Sequence, residues 1–263
     1  MDRAGIGEAA RLLADARLGL ERFERLPPDL APQNEDEAYA VQDALNERLE
    51  AAFGPRVGCK IGCTTATMQR YLNIPEPCAG EMFARAVFRG DTRLPHACFV
   101  RPGDECELAV ELARPLRAAD GPADRHRAAA AIGAAMLSIE IVDDRYADWR
   151  SLDVHTLIAD DFFNAGCVLG EPLPWRPDLD LGKIQGRMRL DHTIVGEGTG
   201  ADILGHPLDA LVWLARRWAA LGRDLAAGTV VTLGSLVQTH WVERGALVEI
   251  EADGLGRVAV AFD

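Results

Sequence analysis

The stretch PGDECELAVELA, residues 102–113, decides the fold class of this chain. Its even-numbered positions from 106 to 112 are Cys, Leu, Val and Leu, while Glu105 and Glu107 stand on the odd-numbered positions. A period of two residues is typical of a β-strand that buries one face. On such a strand the two glutamates point the same way, about 7 Å apart. The stretch therefore predicts a strand with a carboxylate face.

The carboxylate face has two interpretations. Glutamate has a low strand propensity, and like charges on one face of a sheet repel each other. A solvated outer face is the simpler interpretation of this stretch alone. The other is a site for a divalent cation, because a bound cation removes the repulsion.

Composition and charge exclude several classes of protein. The 263 residues are 48% hydrophobic, which is enough for one large domain or two small ones. The net charge of −13 argues against nucleic-acid binding, because phosphate binding needs a basic surface. No apolar run reaches the roughly 18 residues of a membrane span, and the first residues lack a signal-peptide pattern. We expect no membrane partner.

The six cysteines show no CxxC spacing, and most of them stand beside Val, Ile or Leu. Together with the missing signal pattern, they predict reduced thiols in a cytoplasmic protein. The expected environment of each is that of a small buried hydrophobic residue.

The periodicity along the chain predicts helices first and mostly strands afterwards. Asn34 and Glu37 have the spacing of a capping box, and Pro207 and Gly222 stand at the start and end of another helix. The predicted helices span residues 5–24, 33–53, 64–74, 122–135 and 205–222. The predicted strands include 56–62, 136–142, 166–170 and three segments within 229–262, with a turn at 75–80. The order predicts an α+β fold rather than repeated βαβ units.

Glu140 lies in the apolar segment MLSIEIVDD, residues 136–144. A carboxylate in such a strand is costly unless it is paired or bound to metal. One interpretation pairs it with Arg145. In the other, Glu140 joins Glu105 and Glu107 around one Mg²⁺ or Mn²⁺, since hard cations take oxygen ligands. The six histidines are scattered without metal-ligand spacing, which argues against zinc.

Lys60 and Lys183 are the two lysines of the chain. Lys60 lies between apolar neighbours in GCKIG and is either a surface residue of an edge strand or a cation near the metal. In the second case it suits a substrate carboxylate or a developing oxyanion. The glycine-rich segment 196–205 lacks phosphate-loop spacing, and Ser235 is not in a GxSxG motif, which disfavours a serine hydrolase.

Five motifs together resemble one known family. They are GCKIGCTT (58–65), ECELAVELARPL (105–116), SIEIVDDRYADW (138–149), NAGCVLG (164–170) and GTGADILGHPLDALVWLARRWAALGRDLAAGTVVTLGSL (198–236). In this order they resemble the 2-oxopent-4-enoate hydratase / 4-oxalocrotonate decarboxylase family of the fumarylacetoacetase-like superfamily. The similarity runs from about residue 36 to the C-terminus.

The resemblance implies a fold and a reaction class. The fold is a mixed β-roll or barrel over residues 56–263 that carries the site, preceded by a helical N-terminal part over residues 1–55. The implied enzyme depends on Mg²⁺ or Mn²⁺ and acts on short 2-oxo or 2-hydroxydienoic acids from the meta-cleavage of aromatic compounds. It is expected to be a homo-oligomer that associates with a paralogous hydratase or decarboxylase.

The resemblance also assigns residues. Its E-x-E pair corresponds to Glu105 and Glu107, and the Glu of its EIVD strand to Glu140, as metal ligands. Its catalytic Lys, the Asp of its ADN motif and the Ser of its GSL turn correspond to Lys60, Asp160 and Ser235.

Two segments depart from the family pattern. Cys78 stands where many members have Asp. In ADDFFN, residues 159–164, Asp161 replaces Asn, and Phe162, Phe163 and Asn164 replace small polar residues. Both segments are expected to line the substrate pocket.

The leading hypothesis is a hydratase in which Lys60, Asp160, Asp161 or a metal-bound water transfers protons. A decarboxylase of a vinylogous 2-oxo diacid uses the same metal shell and needs a pocket for a second carboxylate, which Arg145 could supply. Hydrolysis of an acylpyruvate ranks lower, because that reaction normally uses a His–Glu pair to activate water, and no histidine near the motifs is a convincing member of such a pair. The remaining hypothesis is non-enzymatic: the chain is a catalytically altered accessory homologue of these enzymes.

Overall fold

The computed structural model describes all 263 residues and contains six α-helices and fourteen β-strands. The helices are α1 (Arg3–Gly19), α2 (Glu35–Phe53), α3 (Ala66–Leu72), α4 (Arg125–Ala131), α5 (Val154–Ala159) and α6 (Pro207–Ala220). The strands of the first half are β1 (Arg56–Gly62), β2 (Cys78–Phe83), β3 (Val87–Arg89), β4 (Thr92–Leu94), β5 (Pro102–Leu112), β6 (Ile132–Asp143) and β7 (Asn164–Leu169). Those of the second half are β8 (Leu173–Pro174), β9 (Gln185–Leu190), β10 (Thr193–Thr199), β11 (Val230–Ser235), β12 (His240–Trp241), β13 (Leu247–Ala252) and β14 (Gly256–Phe262).

The strands form two mixed sheets, which confirms the predicted α+β class with a β-roll. The larger sheet has the order β2-β1-β11-β5-β6-β7-β3, with β12 also paired to β5 and β8 to β6. The smaller sheet has the order β10-β9-β13-β14-β4. Parallel pairs occur at β1–β11, β3–β7 and β14–β4, and the other pairs are antiparallel. Neither sheet closes into a barrel.

Strand β5 lies inside the larger sheet, and both of its faces are buried. The alternation of residues 102–113 is confirmed, but the solvated outer face is wrong. On the carboxylate face Glu107 is 1% exposed, and Ala109 packs in a small apolar cluster with Met82 and Met136. The strand alternates because one face belongs to the main core and the other continues into the site.

Three predicted boundaries differ from the structure. Helix α1 ends at Gly19, because Leu20 adopts a left-handed conformation and caps the helix. The predicted helix 122–135 ends at Ala131, because β6 already begins at Ile132, which pairs with Leu112. Strand pairing thus overrides the helix propensity of an alanine-rich segment. The predicted turn at 75–80 ends early, since Cys78 begins β2 opposite Gly62.

Other local predictions are confirmed. The Asn34 side chain caps α2 by accepting a hydrogen bond from the Glu37 amide, and Pro207 begins α6. All six cysteines are free thiols. Cys98 is exposed and Cys63 half-buried, so the expectation of a buried hydrophobic environment is wrong for these two.

Helices α1 and α2 pack together through a small hydrophobic cluster that also includes Phe83 and Ala159 of the following part. From α2, Gln42 donates hydrogen bonds to the Ala79 and Ile158 carbonyl oxygens. The helices therefore lie against β2 and α5. A division into parts at residue 55 stays a proposal. No helix is both long and apolar enough to cross a membrane.

Candidate active site

Three glutamates converge on one face of the larger sheet. Glu105 and Glu140 stand directly opposite each other on the antiparallel strands β5 and β6, and Glu107 follows two residues along β5. One carboxylate oxygen from each lies within 4.8 Å of the others. Directly paired residues on neighbouring strands point to the same face of the sheet. The register between β5 and β6 therefore brings the three carboxylates together.

The cluster has the electrostatics of a cation site. Burial and the charge of Glu140 raise the pKa of Glu105 to about 7, against the opposing effect of the Thr239 hydroxyl. Burial and the neighbouring carboxylates also raise the pKa of Glu107 well above its ordinary value. Glu107 Oε2 is buried without a hydrogen-bond partner. An all-oxygen donor set with an unpartnered oxygen and mutual repulsion fits a hard divalent cation.

Lys60 lies beside this cluster. It is 3% exposed on β1, which pairs with β2 and β11 on its two sides, so the edge-strand interpretation is wrong. Its Nζ lies 3.5 Å from Glu140 Oε1 and donates a hydrogen bond of 3.3 Å to the Phe162 carbonyl oxygen. Burial disfavours the charged amine, but Glu140 and Glu105 outweigh that effect and raise the pKa of Lys60. The side chain is therefore a buried ammonium ion.

The turn of residues 161–163 holds the other side of Lys60. Asp161, Phe162 and Phe163 all have positive φ angles, between 49° and 66°. Non-glycine residues cost roughly 1 to 3 kcal/mol each in such conformations. The turn directs Asn164, whose Nδ2 donates a hydrogen bond of 2.9 Å to Glu140 Oε1. The Phe162 ring packs 5.5 Å from Lys60 Nζ.

Asp161 does not face the glutamates. Its carboxylate accepts hydrogen bonds from the Glu81 amide and from Asn46, and lies 3.6 Å from Arg17. Burial raises its pKa to about 6, while Arg17 opposes the shift. Glycine at position 80 leaves room here, because a Cβ would lie 3.1 Å from Asp161 Oδ1 and 3.2 Å from Lys60 Cε, so both side chains would have to shift slightly.

Arg145 and Asp160 form a buried ion pair with each other. Arg145 Nη2 donates to Asp160 Oδ2 at 2.7 Å, and Nη1 lies 4.0 Å from Asp143. The pairing of Arg145 with Glu140, considered from the sequence, is therefore wrong, since Glu140 pairs with Lys60. This ion pair engages both groups: Arg145, which the sequence suggested as the cation for a second carboxylate, and Asp160, which it suggested as an acid or base.

Ser235 lies close to the cluster, opposite Glu107 in the β11–β5 register. Its hydroxyl donates to the Val237 carbonyl oxygen at 2.6 Å, which fixes the turn between β11 and β12. That turn brings Thr239 to Glu105, to which the Thr239 hydroxyl donates a hydrogen bond. Thr239 was not predicted, because nothing in the local sequence marks a ligand-orienting hydroxyl.

Cys78 lies at the edge of a surface cavity of about 630 Å³. Contact with the Cys63 thiol and burial raise the pKa of Cys78 well above its ordinary value, against the effect of Lys60. Tyr71 and Trp149 line the same cavity, and Phe163 packs behind the Trp149 ring at 5.8 Å. Aromatic rings and Cys78 thus line this cavity, whereas Lys60 and the three glutamates do not.

Comparison with known proteins fits this geometry. The family described as fumarylacetoacetate (FAA) hydrolase C-terminal matches residues 66–262. The chain belongs to this family. A 2-keto-4-pentenoate hydratase of Paraburkholderia phymatum is 35% identical over 229 residues, covering 86% of this chain and 85% of the relative. The 2-keto-4-pentenoate hydratase 1 of Dechloromonas aromatica is 35% identical over 258 residues, covering 97% and 95%.

A solved structure of this superfamily has the same fold over the full length. The 4-oxalocrotonate decarboxylase from Pseudomonas putida G7, in complex with magnesium and adipate, superposes with a TM-score of 0.93. It is 25% identical and covers 100% of this chain and 99% of that chain. The resemblance inferred from the motifs is confirmed.

Two residues of helices α1 and α2 reach the turn of residues 161–163, and the sequence did not predict them. Arg17 is 6% exposed and Asn46 is 1% exposed, and both contact the turn of residues 161–163. A signal was present in the sequence. Arg17 follows Ala10, Leu13 and Ala14 on the apolar stripe of α1, where a charged residue needs a buried partner.

A buried carboxyl on the opposite face of β5 predicts a pH-dependent stability. Asp104 is fully buried, both of its carboxylate oxygens lack a hydrogen-bond partner, and burial raises its pKa well above the ordinary value. The folded state therefore holds a proton that the unfolded state releases near pH 4. The stability that this protonated group contributes is complete below that pH and declines as pH rises toward the folded pKa.

We expect Asp104→Asn to be more stable than the wild type at pH 8, by about 1 to 3 kcal/mol. The gain should shrink toward pH 5, because the amide does not titrate. Urea unfolding of both proteins at the two pH values measures the difference. The same three glutamates are present in both proteins, so the comparison isolates the change at Asp104. A stability difference that stays constant between pH 5 and 8 would contradict a raised pKa for Asp104.

Proposed function

We propose that this chain is a Mg²⁺- or Mn²⁺-dependent hydro-lyase that converts a short 2-hydroxydienoate into a 4-hydroxy-2-oxo acid. One observation carries the proposal: three glutamates converge beside a buried lysine ammonium ion. The two hydratases that are 35% identical support the reaction class. A 2-oxo acid presents a carboxylate and a carbonyl oxygen, which suit a cation and an ammonium ion together.

Glu105, Glu107 and Glu140 would hold the metal. When bound, a divalent cation supplies Lewis acidity to the carboxylate and the C2 oxygen of the substrate. Lys60 would add a positive charge beside the three glutamates, where it can stabilise the enolate that develops during the reaction. Asn164 and Thr239 hold Glu140 and Glu105 in place through hydrogen bonds.

The reaction has two proton-transfer stages. Protonation of the dienoate at C5, with loss of the proton of the 2-hydroxyl group, gives the α,β-unsaturated 2-oxo acid. Water then adds at C4, and a proton is delivered to C3. Asp160 and Asp161 are occupied by Arg145 and by Arg17 with Asn46, and the Cys78 thiol is held neutral. Among the candidates from the sequence, Lys60 is therefore the protein group best placed to exchange a proton with the substrate.

Decarboxylation of a 2-oxo diacid is the second candidate, because the decarboxylase structure from Pseudomonas putida G7 has the same fold over the whole chain. Such a substrate needs a cation for its second carboxylate. Arg145 does not offer one freely, because it is paired with Asp160. The contacts therefore favour the hydratase over the decarboxylase.

A paired product assay tests the choice. Freshly generated 2-hydroxypenta-2,4-dienoate and 2-oxohex-3-enedioate are supplied separately with Mg²⁺ or Mn²⁺, and ultraviolet loss and CO₂ are followed. We expect the wild type to consume the dienoate without releasing CO₂. The Glu107→Gln variant should not consume it. Release of CO₂ from the diacid assigns the decarboxylase instead. If the protein binds metal but turns over neither substrate, the result favours a catalytically altered accessory homologue.

The oligomeric state and the cellular location are also proposals. We propose a homo-oligomer in the cytoplasm, able to associate with a paralogous hydratase or decarboxylase. The six free thiols fit a reducing compartment. Light scattering on the purified protein, alone and mixed with a paralogue, tests the assembly, and a monomer in both samples would contradict it.

A further inference from the structure

We propose that Arg17 on α1 is a positioning residue for the metal centre, acting through the turn of residues 161–163. The inference rests on the proposed metal-dependent function. It assigns to the helical N-terminal part a role in the geometry of the site. Arg17 touches none of the three glutamates and acts on them through Asn164.

Arg17 makes two contacts with the segment that leads to Glu140. Its Nη2 donates a hydrogen bond of 2.5 Å to the Asn164 carbonyl oxygen, and its Nη1 lies 3.6 Å from Asp161 Oδ2. The guanidinium is buried, so solvent does not screen either contact. The guanidinium therefore contacts the chain at both ends of the 161–163 turn, and these two contacts together act as a clamp.

The turn needs such a clamp because three successive non-glycine residues are left-handed. Such a conformation persists only where the surroundings over-determine it. Asn46 and the Glu81 amide hold the first residue of the turn through Asp161 Oδ1. Arg17 adds the Oδ2 contact and is the group that also reaches the far end of the turn.

The turn controls two groups of the site. Asn164 donates to Glu140 Oε1 from its side chain, while its carbonyl oxygen accepts from Arg17. The Phe162 carbonyl oxygen accepts a hydrogen bond from Lys60. If the turn relaxed, Glu140 would lose a hydrogen bond that orients its carboxylate, and Lys60 would lose the contact that holds its Nζ. Loss of a group that orients a metal ligand typically weakens metal affinity by about 10 to 100-fold.

The competing explanation is that Arg17 only attaches α1 to the rest of the chain. Under that explanation its loss lowers the melting temperature but leaves metal binding unchanged well below that temperature. Under the positioning role, the dissociation constant for the metal rises while the protein is fully folded.

The test measures Mn²⁺ binding by electron paramagnetic resonance of the free ion, without substrate. We expect Arg17→Met to raise the dissociation constant about 10 to 100-fold and Arg17→Lys to recover part of the affinity. Arg48→Met is the matched control. Arg48 donates to the Gly7 carbonyl oxygen and joins α2 to α1 on the exposed side, away from the turn. It should lower stability without changing Mn²⁺ affinity.

Equal Mn²⁺ affinity in Arg17→Met and wild type, both folded, overturns the proposal. So does an equal loss in Arg48→Met, since that result makes the effect a general one of the helices. If Arg17→Met does not fold, Arg17→Gln replaces it, because it removes the guanidinium that reaches both ends of the turn, and unchanged affinity in that variant overturns the proposal as well. A wild type that binds Mn²⁺ but hydrates no dienoate removes the proposed reaction and leaves this test intact.

Discussion

Glu107→Gln lowers kcat/KM for the dienoate by about 10³-fold or more and removes the stabilisation that Mn²⁺ gives to the wild type. The expected size follows from the loss of one of three ligands, which weakens both metal binding and charge stabilisation. A ligand that binds only the folded state raises its stability by mass action. Thermal unfolding with and without Mn²⁺, together with steady-state kinetics at saturating metal, measures both effects.

The chain offers a matched control on the same strand. Glu111 stands four residues after Glu107 on β5, but its side chain is 37% exposed and pairs with Arg89 at 3.2 Å. Glu111→Gln should leave kcat/KM and the Mn²⁺-dependent shift in melting temperature within about twofold of wild type, because an exposed ion pair contributes little. If both variants behave alike, the three glutamates are not the metal site.

Lys60→Met lowers kcat by about 10² to 10³-fold but keeps the metal. The ammonium ion stabilises negative charge that develops on the substrate, and its loss resembles the loss of an oxyanion donor. It also repels a bound cation, so the dissociation constant for Mn²⁺ should stay the same or fall. Measuring kcat beside Mn²⁺ affinity separates Lys60 from the glutamates, whose variants lose both.

Lys183→Met is the control for that substitution, because Lys183 is the second lysine of the chain and its side chain is 84% exposed beside Asp180. It should match wild type in both measurements. Loss of Mn²⁺ binding in Lys60→Met, with the protein folded, would contradict the assigned role and make Lys60 a structural partner of Glu140.

The sequence alone predicted the elements whose signals are local. Alternation along residues 102–113 predicted β5, and the Asn34 cap and Pro207 predicted the beginnings of α2 and α6. The prediction was wrong between residues 132 and 135. There alanine favours a helix, but pairing of β6 with β5 decides the conformation. Propensity is a weak preference that tertiary contacts override.

Glu140 was predictable as a candidate metal ligand because a carboxylate in an apolar strand is costly without a partner. Glu105 and Glu107 were assigned through the E-x-E motif of the family, since their strand alone also fitted a solvated face. The surroundings of Asp160 and Asp161 were not predictable in the same way. Their partners, Arg145, Arg17 and Asn46, come from other parts of the chain, and an ion pair between distant residues leaves no periodic signal.

The amino-acid sequence by itself determined the α+β class and the central strand and identified three glutamates as candidate ligands, because alternation, the cost of a buried charge and short family motifs are local signals. Only the tertiary structure decided which carboxylates share a face, since that depends on the register between β5 and β6. It also decided that Lys60 is a buried cation and that Arg17 reaches the turn behind Asn164. Both follow from packing between segments that lie far apart in the chain.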